Sequence, residues 1–432
     1  MQQGFGGLMA GFARGLRIGA GWGAALTVPE SSRSDATTAA ALSVDSERLL
    51  SWPFVLVLGV QFCFGLSYST FFLLPKFLAQ QFHAKADAIG AVAATALLAS
   101  VLAAPWTGAW LDRGSRRPFI GYGALVNGLS GCAFSLVHAV SWPIFALRVV
   151  HGVSYALVFN GVVTLAADLA PAKKLGQAIG LCGAASIVSN AVAPAIAEPI
   201  AESHGWGWVF LLAGSAALFS ALLALGIREP KHAPLPVSDA ERRALPSAFA
   251  LLRQPQRIGA FLCSAANGAA FGAMFTFTQP FALAQGASKV RGFFLGYTLI
   301  ALGVRLFLGG AADAWGRRRV AFSALILYGS VASLTSLLRP NLLFAVGAGL
   351  GLAHGLLYPS LNALAAEGVP RARRGALMSY FFGCFGAGSA LWVLGLGVIA
   401  KCYGYPVVFL ATGLLVWSAI AFLPKKALGL SA

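Results

Sequence analysis

Three residues in the stretch RVVHGVSYA, 148–156, have side chains able to do chemistry: Arg148, His151 and Tyr155. Spaced i, i+3 and i+7, they share one face of a helix. The chain around them is apolar, with PIFAL before and LVF after. A guanidinium at that depth is costly unless it faces a cavity or a partner. An imidazole titrates near neutral pH and is suited to carrying a proton. The plainer role for His151 is a hydrogen bond between packed helices. A second polar face lies at His354, Tyr358 and Asn362, spaced i, i+4 and i+8. Further polar residues interrupt apolar runs: Gln61 and Tyr68, Asn190, Asn267 and Gln279, and Arg305. Together with Tyr155 these are the candidates for lining an internal cavity. Glu198 sits near the end of an apolar run, as either a coupling carboxylate or a residue of the membrane interface.

The elements that must carry these residues follow from composition. The chain has 432 residues, 58% hydrophobic and 10% charged, against about 25% charged in soluble proteins. Apolar runs long enough to span a bilayer recur from residue 52 to residue 424. They are continuously apolar rather than alternating, which favours helices over a β-barrel. We read an all-α integral membrane protein of twelve spans. The net charge of +17 would suggest nucleic acid in a soluble domain. Here most Lys and Arg fall in connections on one side of the spans, so the charge sets topology, with both termini cytoplasmic, and nucleic-acid binding is not expected. The cysteines, at 63, 132, 182, 263, 384 and 402, are scattered without metal spacing and read as packing residues.

The expected organisation is a cytoplasmic tail over 1–51, a six-helix bundle over 52–227, a Pro-rich basic linker over 228–257, a second bundle over 258–424, and a tail over 425–432. The tail sequence MQQGFGGLMAGFARGLRIGAGWG is Gly-rich and basic; we read it as disordered, with an interfacial helix or targeting segment as alternatives. The halves repeat each other. GAWLDRGSRRP at 108–118 matches GGAADAWGRRR at 309–319, HGVSY at 151–155 matches HGLLY at 354–358, and DLAPAKKLG at 168–176 matches EGVPRARRG at 367–375. Same order at nearly constant offset describes two pseudo-symmetric six-helix bundles.

On these residues the chain resembles the major facilitator superfamily. That family has a G-x-x-x-D-R-x-G-R-R/K pattern after its second span. Gly108, Asp112, Arg113, Arg116 and Arg117 match it, with Ser115 in place of the second glycine. In the second half Gly309, Asp313, Gly316, Arg317 and Arg318 match, with Ala314 in place of the first arginine. The resemblance implies a cytoplasmic latch that closes in one state, with Gly108 admitting a close helix approach. Arg148 and Gly152 resemble the family's R-x-x-x-G element, which is associated with proton transfer. Pro194 stands where exporters carry a G-P-x-x-G-G element, but Ala193, Ala197 and Glu198 replace the glycines.

The resemblance implies a secondary transporter of a small molecule in the cell membrane, rocking two bundles about a central site. Proton-coupled export is the preferred reading, with Arg148, His151, His354 and Glu198 as coupling candidates. Proton-coupled uptake or facilitated diffusion of an organic anion is the alternative, and a receptor on the same fold a remote one. The first and seventh spans hold no acid, which argues against a simple exporter of cations. No HExxH, GxSxG or P-loop pattern suggests an enzyme. No cofactor or metal is expected, and the chain is expected to act as a monomer.

Overall fold

The computed structural model describes residues 49–113, 115–171, 174–229, 255–308, 314–369 and 371–424. The tail expected over 1–51 and the linker expected over 228–257 lie almost wholly outside the described residues, and the tail over 425–432 entirely so.

Among the described residues there is no strand, and the twelve long helices are α1 Trp52–Gln81, α2 Ala86–Arg113, α3 Arg116–Ala133, α4 Trp142–Leu169, α5 Leu175–His204, α6 Trp206–Leu225, α7 Pro255–Ala284, α8 Arg291–Phe307, α9 Arg317–Thr335, α10 Leu343–Ala366, α11 Arg371–Tyr403 and α12 Tyr405–Ala419. Helices are the economical answer for long apolar runs, because lipid offers backbone groups no partners. Ten of them are long and apolar enough to cross a membrane by length and composition alone. The other two are α8, which has 17 residues, and α9, which opens on Arg317, Arg318 and Arg319.

Local sequence sets the helix ends. A proline stands in the first turn of α1, α4 and α12, where its missing N–H costs nothing. Trp52 and Trp142 open α1 and α4 and are exposed, as aromatic side chains at a membrane interface are. Single glycines join α5 to α6 and α11 to α12. Gly205 has φ 88° and ψ 167°, and Gly404 has φ 83° and ψ 166°. That region is essentially closed to residues with a Cβ. The two turns occupy matching places in the two halves.

The sequence repeat returns as a packing repeat. In the first half α3 packs on α6, α2 on α4, and α1 on α5. Six helices later, α9 packs on α12, α8 on α10, and α7 on α11. The halves meet chiefly through α2 with α11 and α5 with α8, which is again a symmetric pair. One buried apolar cluster runs through both halves, and a second lies within the first. The described residues form one compact unit.

Candidate central cavity and its two faces

A pocket lies where α1, α2, α4, α7 and α11 converge. Its cavity volume is about 70 Å³, and it is partly open to solvent. The helical path of α1 tightens to a 3₁₀ turn at Phe71–Leu73, and Tyr68, Phe71 and Phe72 line the pocket there. Phe271, Phe275 and Thr276 of α7 and Ser389 of α11 line it from the second half.

Arg148 is the charged residue on its wall. The side chain is 7% exposed. Its Nε donates to the Val92 carbonyl at 3.4 Å, its Nη1 has no hydrogen-bond partner, and its guanidinium carbon stands 6.0 Å from the centre of the Phe71 ring. No carboxylate among the described residues pairs with it. Tyr68 stacks on Tyr155 at 4.3 Å, and Tyr155 on Phe159 at 5.2 Å.

His151 does not reach the pocket. It is buried edge-on to Phe71 at 4.2 Å and stacked on Phe134 at 5.2 Å, and its Nε2 has no hydrogen-bond partner. The expected interhelical hydrogen bond is therefore absent, and no hydrogen bond joins it to Arg148. The aromatic rings around it could not be foreseen, since Phe134 and Phe71 come from distant segments.

His354 is half-buried, with Nδ1 3.2 Å from Asn267 Oδ1 and its ring stacked on Tyr358 at 5.5 Å. Phe271 lies 5.0 Å from it, so this cluster continues the pocket wall. Asn362 is also half-buried. Arg305 is exposed, and its guanidinium reaches across to Gly183 of α5.

Three expected cavity residues instead tie helices together. Gln61 donates to Ser186 Oγ, and Asn190 Oδ1 accepts from Ser69 Oγ at 2.8 Å, both joining α1 to α5. Gln279 donates to the carbonyls of Phe72 at 2.6 Å and Phe275 at 2.7 Å, and is fully buried. A buried amide must find partners within the protein, and the nearest were on neighbouring helices. Gly152 of α4 faces the backbone of Ala96 and Ser100 on α2, as close packing there requires. Pro194 is buried within an α5 that continues unbroken through it.

On the face where α1, α5 and α11 end, the halves are sealed. Lys76 and Glu198 form an ion pair, 2% and 0% exposed. Lys76 Nζ also donates to the Ser288 carbonyl at 3.0 Å. Glu198 accepts from the amides of Val290 at 2.7 Å and Arg291 at 2.9 Å. Those amides open α8, where the helix dipole favours an anion. Glu198 is thus not an interfacial residue. Lys76 is a residue that sequence reasoning missed. The signal was the run FFLLPKFLAQQF, whose apolar residues continue the helix past the lysine. Asp87 and Lys401 add a partly exposed pair at 2.5 Å on the same face. A Cβ on Gly90 would stand 2.9 Å from the Val393 carbonyl and 3.1 Å from the Gly397 Cα, so α2 and α11 touch backbone to backbone there.

The arginine-rich face differs. Arg116 pairs with Asp168 at 2.9 Å, and Arg317 with Glu367 at 4.0 Å. Two repeated motifs therefore meet within each half, an arginine of the first against the acid of the third. The Arg117 amide donates to Glu229; Arg318 is exposed. Gly309 and Asp313 lie outside the described residues, as do the side chains of Asp112 and Arg113. Among the described residues nothing approaches Gly108 closely, since a Cβ there would meet nothing within 4 Å. The same holds at Gly176, Gly180, Gly303 and Gly383, which lie toward this face of α5, α8 and α11.

The sequence profile of the Major Facilitator Superfamily matches residues 57–309 and 293–428. Multidrug resistance protein 1 of Bacillus subtilis is 28% identical over 182 residues, covering 42% of this chain and 46% of that protein. The chain thus matches less than half the length of that relative. The multi-drug resistance efflux pump PmrA of Streptococcus pneumoniae is 25% identical over 338 residues, covering 76% of this chain and 82% of the pump. Among solved structures, the nucleoside transporter NupG superposes with a TM-score of 0.70 at 14% identity, over 86% of this chain and 99% of that one. A bacterial homologue of the lysosomal transporter Spinster gives 0.69 at 16% identity, over 87% and 96%.

Proposed function

The chain belongs to the major facilitator superfamily, a family of membrane transporters, and from that premise we propose that it exports a small molecule across the cell membrane in exchange for protons. The observation that carries the reading is the buried Lys76–Glu198 pair, which joins α1 and α5 to the start of α8. The halves are tied on that face, whereas on the other Arg116–Asp168 and Arg317–Glu367 each join helices within one half. Opening that tie and closing the opposite face would move access to the central pocket from one side of the membrane to the other. The positive-inside rule makes the arginine-rich face cytoplasmic, so the sealed face is external. Export is supported by the relative named as a multi-drug resistance efflux pump.

Glu198 is our choice of proton carrier. Ionised, it holds Lys76 and the α8 amides and keeps the external face shut. Protonated, it loses its attraction for both, and the seal loosens. His151, packed among phenylalanines, is not given this role, and Arg148 remains charged. The transporter works as a monomer, since each chain contains both halves of the pocket.

The test is an acridine-orange assay in everted vesicles containing the protein. An exported compound collapses an interior-acid gradient when added, and Glu198→Gln abolishes the collapse. Transport indifferent to the gradient would sink the exchange reading.

A further inference from the structure

Arg148 brings a positive charge to the centre of the fold that no described residue neutralises. It is 7% exposed, its Nη1 lacks a hydrogen-bond partner, and its one hydrogen bond is long, at 3.4 Å. The buried acid Glu198 is already engaged by Lys76 and two amides of α8. An unpaired charge in a low-dielectric interior is strongly unfavourable, so the site calls for a counter-charge from outside the chain. The same pocket wall carries a second unsatisfied group, Ser389 Oγ on α11, buried and without a partner. Between them stand aromatic side chains from both halves. Phe72 and Phe275 meet edge to face at 5.0 Å, and Phe271 stacks on Phe275 at 4.2 Å.

We propose that this pocket binds an aromatic organic anion, its carboxylate or sulfonate paired with Arg148 and its ring against Phe72 and Phe275. The proposal rests on the transporter reading and narrows it to a substrate class. The guanidinium offers a planar fork of donors that matches such oxyanions. Ser389 supplies a further donor from the opposite half, so an anion bound here touches both bundles. A cation would meet an uncompensated positive charge and no acid, and is rejected.

The test uses the purified full chain in detergent with three probes of similar size, measured by calorimetry: benzenesulfonate, benzenesulfonamide and benzyltrimethylammonium. Benzenesulfonate is expected to bind about tenfold more tightly than the other two. Arg148→Gln is expected to erase that advantage while sulfonamide affinity stays within about twofold, which also reports that the variant is folded. Arg148→Lys is expected to keep part of it. The proposal is overturned if the wild-type protein binds the cation as well as the anion, if it binds no sulfonate, or if the folded glutamine variant keeps the preference. The wild-type comparison stands even where a variant does not fold. Failure of this proposal is separable from failure of the export reading. If sulfonate binds but moves without regard to a proton gradient, the site stands and proton exchange falls. If other compounds are exported against the gradient while sulfonate does not bind, the reverse holds.

Discussion

Lys76 and Glu198 stand 122 residues apart in the chain and form one buried ion pair, whose remaining hydrogen bonds reach Ser288, Val290 and Arg291 of the other half. Removing one partner of such a pair typically costs about 3–5 kcal/mol, because the other is left charged and dry. Glu198→Gln strands Lys76. We expect it to open the external face, so that a cysteine placed at Thr276, on the pocket wall, reacts with an impermeant maleimide about tenfold or more faster from outside, in a background without the native cysteines. Unchanged labelling would remove Glu198 from the seal. Lys76→Met with Glu198→Gln should label more slowly than Glu198→Gln alone, since no buried charge is stranded.

Asp87 and Lys401 pair on the same face but are 33% and 46% exposed. Pairs of this kind are worth about 0–1 kcal/mol. Asp87→Asn should therefore change transport by less than about threefold, and 1 M salt should mimic it. A loss as large as that of Glu198→Gln would contradict the ranking of the two pairs.

The repeated His-Gly element is not used alike in both halves. A Cβ on Gly152 would stand 2.7 Å from Ala99 Cβ and 2.9 Å from Ser100 N, whereas one on Gly355 would first meet Val304 at 3.2 Å. Backbone cannot yield as a side chain can. We expect Gly152→Ala to cost about 1–3 kcal/mol and Gly355→Ala less, read as thermal melts in detergent.

The two histidines should also part company. His151 lies against Phe71 and Phe134 without a hydrogen-bond partner on Nε2, so His151→Phe should keep the melting temperature and the pH profile of transport. A shifted profile would return His151 to the proton path. His354 bonds Asn267 beside the pocket, and His354→Ala should raise KM by a few-fold, with Asn267→Ala adding little to it because both act through one hydrogen bond.

Much of the fold was legible because membrane helices are written locally. Each span is a continuous apolar run, and the chain has no other way to satisfy its backbone in lipid. The recurrence of the arginine motif, of His-Gly and of the acid at the end of α4 and just past α10 announced two related halves. Even the Arg116–Asp168 and Arg317–Glu367 pairs join residues that the repeat had already singled out. The site was less legible. Polar residues inside spans were candidates for a cavity, yet Gln61, Asn190 and Gln279 serve to hold helices together. Residue type shows that a buried amide needs a partner, not which helix provides it.

By itself, the sequence determined that the chain is a helical membrane protein and that its halves repeat. These are properties of composition and period. Only the tertiary structure decided which of the charged residues are paired. Lys76 goes unremarked, and Glu198 reads as either a coupling carboxylate or an interfacial residue, until α1, α5 and α8 are brought together. Arg148 reads as facing either a cavity or a partner until the described residues around it are seen to pair no acid with it. The energy of a buried charge depends on what lies within a few ångströms, and that distance is set by segments far apart in the chain.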